Sequence, residues 1–309
     1  MFKNFFYFSC IFLSIFSYFS CASVQSAWFT DASKMKKEVQ SAKKDAFILF
    51  TGSDWDDESQ KLLAKRIDRE LFLRYGKQFL FYHVDIVRNE DAMNAKQLKT
   101  NYLLFSKYGV GDLPHIVARC FEGDVYYSSH LDTNAGIDDV MNNVITQRKK
   151  VQKLKDEIRF SSSVEKIRAI DTFFSSIYNA DHAMYDDLRM QAIEADPENE
   201  SGLLGRFQMM VASLKAEKLV VQKKHLTAAD EYIILLKAES GRATPSLKPE
   251  ERQNAWYQIA YLYALSKKVE NEKIVYCLKN AISAAPESDA VPRLKEIINE
   301  IINHVKVTR

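Results

Sequence analysis

Asp54, Asp56, Asp57 and Glu58 bring four carboxylates into five consecutive positions, where a short apolar run gives way to a helical pattern. Two roles suit that grouping. Negative charge at a helix start is favoured by the backbone dipole by about 0.3–1 kcal/mol per group. Asp57 and Gln60 also have capping-box spacing, with Asp in place of the usual Ser or Thr. Alternatively, the carboxylates form a site for a cation or a basic peptide, completed by His115 from a neighbouring loop. His83 and Asp85, two apart on one strand face, form either a satisfied core pair or an acid–base pair. Cys120 and Cys277 are the thiols outside the first 27 residues, and they fit three readings: two separate buried thiols, a bridge, or the reactive group of an atypical oxidoreductase. The six histidines show no metal-ligand spacing, and neither a phosphate-binding glycine loop nor a nucleophile elbow is present, so no cofactor or metal is expected.

The elements that must position these residues begin with Ala46–Thr51, an apolar and branched run suited to a buried strand. Gly52, Ser53 and Asp54 break it, and from Glu58 the spacing of Leu62, Leu63, Ile67, Leu71 and Phe72 predicts one helix face. Before it, Asp31–Lys44 reads as a lysine-rich helix. After it come a second strand, Phe79–Ile86, a polar segment, Asn89–Lys99, and a helical Tyr102–Lys107. Pro114 opens the apolar run Ile116–Ala118, which places it at a strand start. Glu122-Gly123-Asp124 then turns into a strand at Val125–Ser129, and a long helix is expected over Ile137–Arg159. The basic stretch from Arg148 to Lys155 on that helix is expected to be a solvated face.

Thr51-Gly52-Ser53-Asp54-Trp55, Asp85 and Lys107-Tyr108-Gly109-Val110-Gly111-Asp112-Leu113-Pro114 together resemble bacterial envelope thioredoxin-like proteins over about Asp31–Gln147. In that family the segment continues as Trp-Cys-x-x-Cys, and the later proline is cis and faces the cysteine pair. Here Asp56 and Ser59 stand at the two cysteine positions, His115 replaces the common threonine after the proline, and Phe50 occupies the position of a buried acid. Thiol–disulfide exchange needs a thiolate, so dithiol and monothiol mechanisms at residues 56–59 are excluded. The resemblance implies a peptide-binding surface at Trp55, Asp56, Asp57, Leu113, Pro114 and His115, where backbone beside the proline pairs with an extended chain. The expectation is therefore a binding protein and not an enzyme.

From Ser162 the pattern becomes wholly helical. Ala192–Asn199 and Ala281–Ser288 match each other as helix ends stopped by proline, similar to boundaries between tetratricopeptide repeats. Trp256, Ile259, Ala260 and Tyr263 have the spacing of that repeat's first helix, with Leu278, Ala281 and Pro286 fitting its second. Ala243–Pro249 is a loop expected to break regular stacking. The fold expected is an α/β thioredoxin-like domain, residues 31–150, a helical linker, 151–161, and an all-α tetratricopeptide-like domain, 162–309. Its concave face would bind peptide or another protein, or the first domain would serve only as a scaffold for it.

Residues 1–27 read as an export signal, with Lys3 ahead of an uncharged aromatic and aliphatic run, Phe5–Phe19. Cys21 is a candidate lipidated residue, and an uncleaved signal helix is the other route to a membrane. The expected location is the periplasm or cell envelope, as a soluble protein or a lipoprotein. Removing the signal leaves about 280 residues, a two-domain length. With 43 basic against 41 acidic residues, the chain lacks the basic excess of a nucleic-acid binder. The partner expected is an envelope protein or peptide.

Overall fold

The computed structural model describes residues 28–65, 68–180, 183–242 and 245–307. The export-signal reading, with Cys10 and Cys21, lies outside the described residues. Among the described residues no helix is long and apolar enough to cross a membrane.

The N-terminal unit is a four-stranded mixed sheet. Its strands are β1 (Asp45–Thr51), β2 (Phe79–Asp85), β3 (His115–Arg119) and β4 (Val125–His130), in spatial order β2-β1-β3-β4. β1 runs parallel to β2 and antiparallel to β3, and β3 forms an antiparallel hairpin with β4. The alternation of side chains explains why β1 is apolar throughout. Phe47 and Leu49 enter one core while Ala46, Ile48 and Phe50 enter the other, so both faces are covered. α1 (Met35–Ala42) and α4 (Ala95–Lys107) cover one face, with Met35, Val39, Leu104 and Phe105 in its core. α2 (Asp57–Ala64), α3 (Asp68–Tyr75) and the first half of α5 (Ile137–Phe160) contribute to the other. An extra edge contact precedes them: Phe29 donates its N–H to the Phe81 carbonyl and accepts that of His83, both at 2.9 Å.

Three local expectations are corrected. The single helix after Gly52 is two, α2 and α3; Leu62, Leu71 and Phe72 are buried, Leu63 is exposed, and Ile67 lies outside the described residues. α4 starts at Ala95, inside the stretch read as polar, because Asn94 caps it by accepting the Gln97 N–H at 2.9 Å. The basic stretch on α5 is not wholly solvated. Arg148 turns inward to Asp45, Nε to Oδ2 at 2.8 Å, and Lys155 pairs with both Glu122 and Asp124.

α5 is continuous through residues 151–160, and its Val151, Leu154 and Ile158 share one core with Phe47 of the sheet and Phe173 beyond it. The helical unit follows as α6 (Ser163–Phe174), α7 (Asp186–Ala195), α8 (Leu204–Val221), α9 (His225–Ser240), α10 (Pro249–Ser266), α11 (Asn271–Ala284) and α12 (Val291–Val307). Ile259, Ala260, Tyr263, Leu278 and Ala281 are buried together between α10 and α11, as the repeat spacing predicts. The matched helix ends also share backbone shape. Asp196 (φ −141°, ψ 62°) and Ala285 (φ −144°, ψ 78°) both leave the helical region immediately before a proline, which disfavours that region for its predecessor.

The loop before α10 does not interrupt the stack. The Glu239 carboxylate accepts the N–H groups of Ser246 (2.6 Å) and Leu247 (2.9 Å), and the loop crosses α8 at Gly205.

Candidate functional site

At the C-terminal end of β1, the side chains or backbone of Thr51, Ser53, Asp54 and Trp55 are fastened to the end of β2 and the residues that follow it. The Thr51 hydroxyl donates to Asp85 Oδ1 at 2.9 Å and accepts from His83 Nε2 at 2.7 Å, so His83 and Asp85 are joined through a shared hydroxyl. Ser53 N–H donates to Asp85 at 2.9 Å, and its hydroxyl bonds the other carboxylate oxygen. Asp54 accepts the N–H groups of Arg88 (2.9 Å) and Asn89 (2.7 Å), and those bonds hold its carboxyl below the usual range. Trp55 Nε1 donates to the Ile86 carbonyl at 2.6 Å, while the Arg88 guanidinium lies 4.3 Å over the indole. The indole is half-buried and covered on one face, not freely presented. A Cβ on Gly52 would come within 2.7 Å of its ring, so this close approach requires glycine.

Asp56 and Ser59, the residues that the resemblance sets at the cysteine positions, are both used by the backbone. Asp56, not Asp57, is the N-cap of α2, its Oδ2 accepting the Ser59 N–H at 2.8 Å. Ser59 is buried, and its Oγ accepts the Gly52 N–H at 3.1 Å. Asp56 thus closes the first turn of α2 from outside, and Ser59 ties that turn to β1. Asp57 and Glu58 are left exposed in the same turn.

Facing them, the Leu113–Pro114 peptide bond is cis. Leu113, Pro114 and His115 are all buried, and the exposed residues of the loop are Gly109, Gly111 and Asp112. Phe50 is fully buried, with the rings of Phe105 and Tyr108 packed against it at 6.3 and 6.2 Å. His115 Nδ1 donates to Asp112 Oδ1 at 2.7 Å, and in the neutral imidazole Nε2 accepts the Ser128 hydroxyl at 2.9 Å. His130 continues the chain, with Nε2 3.3 Å from Glu58 and Nδ1 3.7 Å from Asp112. Sequence reasoning missed Asp112, Ser128 and His130. The signal for His130 was the hairpin register, since His115 pairs directly with His130 across β3 and β4.

The Ser128–His115–Asp112 order has the hydrogen-bond sequence of an acyl-transfer relay. Such chemistry also needs converging N–H donors for an oxyanion and a cleft for the acyl group. The cavity near Arg119 and a smaller one between α10 and α12 both lie elsewhere. The relay here positions Asp112 and joins the proline loop to β4.

Cys120 follows β3 directly, at the opposite pole of the sheet from Asp56. It is fully buried and free, and burial followed by the Asp124 carboxylate pushes its thiol up to about 12. Its Sγ donates to Asp124 Oδ2 at 3.1 Å. Cys277 is also buried and free, in the α10–α11 core, and burial raises its thiol too. Reactive cysteines need the reverse, a lowered pKa and access. Cys120, Glu122 and Asp124 converge closely enough to suggest a metal site, but the Lys155 ammonium already bridges both carboxylates. The cluster is an internal ion pair with a thiol attached.

The sheet order, the helices on both faces and the cis-proline opposite the start of α2 define a thioredoxin-like domain, followed by a helical unit. Comparison with known proteins adds the family. Over 286 residues, 91% of this chain and 92% of the relative, the sequence is 31% identical to a protein of Treponema pallidum (strain Nichols) named "Uncharacterized protein". The chain belongs to the same family as that protein. Residues 203–307, from the start of α8 through α12, match a family model described as "Uncharacterised protein C-terminal domain". A solved structure titled "DsbH Oxidoreductase" aligns with 40% of this chain and 84% of its own, at 21% identity and a TM-score of 0.34. The fold assignment rests on strand order and register, independently of that alignment.

Proposed function

We propose that this chain is a redox-inactive thioredoxin-like protein of the cell envelope that holds a protein or peptide partner. The observation that carries the reading is the use of Asp56 and Ser59. One caps α2 and the other ties it to Gly52, so the turn is built for rigidity and contains no sulfur. Around it, Asp57, Glu58 and Asp112 form an exposed acidic rim beside the cis-proline loop. The side chains of Glu58 and Asp112 are 51% and 59% exposed, with the half-open His130 between them. A rim of one sign attracts the opposite sign and sets the register of a bound chain. The partner segment expected is therefore basic and extended, and the helical unit supplies a second surface.

The test couples an insulin-reduction assay to peptide binding. The full-length protein is expected to give no rate above the dithiothreitol background. It is also expected to bind immobilised Lys- and Arg-rich peptides in preference to acidic ones of equal length. Combining Asp57→Asn, Glu58→Gln and Asp112→Asn should abolish that preference. Turnover above background, or binding indifferent to those three changes, would sink the reading.

A further inference from the structure

At the far pole of the sheet from the acidic rim, a cavity of about 660 Å³ opens between α1, α4, the β3–β4 turn and the connection from α6 to α7. Its floor is Arg119, an arginine in a strand paired on both sides and only 8% exposed. Among the described residues no carboxylate lies within ion-pair distance of Arg119, Lys36 or Lys107, all three of which line the cavity. Burial, then the charges of Arg119 and Lys36, push the Lys107 ammonium below its usual range, so the three cations are close enough to oppose one another.

The nearby acids are already engaged. Glu38 accepts the Tyr82 hydroxyl at 2.7 Å, and Glu122 is held by Lys155. A buried cation normally has its counter-charge built in. Here Arg119 is the buried cation, engaged by the neutral Tyr108 side chain, and the exposed Lys36 and Lys107 add their charges at the rim, Lys107 over the Tyr108 ring at 5.8 Å, which focuses positive potential into the cavity.

The remaining walls are of another character. Met35, Leu104 and Val125 supply apolar surface, and Tyr178 and Met184 close the side contributed by the helical unit. A cavity of this size suits a small molecule and exceeds what a bare ion fills.

We propose that this cavity binds a small anionic amphiphile, an apolar body bearing one carboxylate or phosphate head that sits against Arg119, Lys107 and Lys36. The site is independent of the peptide surface proposed above, and it joins the two units, because the ligand touches α4 and Tyr178 together.

Calorimetric titration of the full chain with decanoate, decyl phosphate, decanol and inorganic phosphate tests it. At least one of the two acids should bind at least about tenfold more tightly than decanol and than inorganic phosphate, and its Kd should rise with salt. Preference for decanoate or for decyl phosphate identifies the head group. Arg119→Met and, separately, Lys107→Met should each weaken the acid about tenfold while leaving decanol unchanged. Lys107 is on the cavity rim, so its variant decides the question if Arg119→Met does not fold. Equal binding of decanol, affinity unchanged in Lys107→Met, inorganic phosphate binding as tightly as decyl phosphate, or no binding of either acid would overturn the proposal.

Discussion

Tyr185, in the turn ahead of α7, donates its hydroxyl to Asp124, one residue before β4, at 2.7 Å. The bond crosses from the helical unit to the sheet, and it ends on a carboxylate whose side chain is only 1% exposed. Asp124 also accepts from Lys155 Nζ at 2.8 Å and from the Cys120 thiol, so one buried charge gathers β3, α5 and the helical unit. The continuous core from Phe47 to Phe207 runs alongside it. The first domain is thus more than a neighbour of the second.

Burial alone would raise the Asp124 carboxyl, but Lys155, Tyr185 and Cys120 outweigh it and hold the group below its ordinary 3.8. A depressed folded-state pKa contributes stability that is fully present above the unfolded value and is lost as pH falls through the folded one. Asp124→Asn should therefore cost about 1.5–3 kcal/mol near pH 7, since Lys155 and Tyr185 lose a charged acceptor while Lys155 keeps Glu122. In urea titrations the gap between the two proteins should hold down to about pH 4 and narrow below it. A gap that widens with acid would contradict the assignment.

Arg148 and Asp45 form a second inward pair, joined by the Tyr126 hydroxyl at 3.0 Å from the same Asp45 oxygen. Arg148→Leu should cost about 3–5 kcal/mol, because the Asp45 charge stays buried without its partner. Adding Asp45→Asn should recover part of that loss, giving a coupling of about 0.5–3 kcal/mol in a double-mutant cycle of urea midpoints. Strict additivity would mean that the two side chains do not interact.

The strands and the place of the proline loop were legible because their signals are local: an apolar run on β1, a proline at the start of β3, a Gly-containing turn before β4; the cis state of the Leu113–Pro114 bond was implied only by the resemblance. The division of the helix after Gly52 was not, since Leu62, Leu71 and Phe72 keep helical spacing across the break. Charge defeated the reading most often. Arg148, Lys155 and Arg119 look like surface residues in a sequence, and their inward direction depends on contacts with Asp45, Asp124 and a cavity that only tertiary structure creates. The acidic cluster was found, but which carboxylate caps α2 turned on a one-residue difference in the helix start, where spacing has little resolving power.

Ser59→Ala should destabilise the protein by about 1–3 kcal/mol, because the buried Gly52 N–H loses its acceptor. Asp56→Ala should cost about 1 kcal/mol, the ordinary value of an N-cap. Thermal unfolding of the two variants checks the order. If Asp56→Ala proved the more damaging, the cap would matter more than the tie to β1, and the rigid-turn account would need revision.

Gly205 lies in α8 directly beneath the loop before α10, and a Cβ there would overlap the Ser246 carbonyl. Backbone cannot yield as a flexible side chain can, so Gly205→Ala should separate that loop from α8 and expose the Glu239 carboxylate that binds it. The expected cost is about 1–3 kcal/mol, with loss of hydrogen-exchange protection at Ser246 and Leu247. Unchanged protection would show that the loop is held elsewhere.

The last prediction concerns the thiols. With its thiol pushed up to about 12, Cys120 carries a thiolate fraction on the order of 10⁻⁴ at pH 8, and its burial removes access as well. Iodoacetamide at that pH should therefore leave both Cys120 and Cys277 unmodified in the folded full-length protein, and urea should expose two thiols together at the unfolding transition. Asp124→Asn removes the negative charge that, after burial, helps to raise the Cys120 thiol, so that variant should label sooner than wild type under native conditions. Cys277, in a separate core with no carboxylate against it, should keep its wild-type rate in the same sample. Rapid labelling of native Cys120 would give the chain an accessible thiol and move the search for chemistry to the far pole of the sheet, away from Asp56 and Ser59.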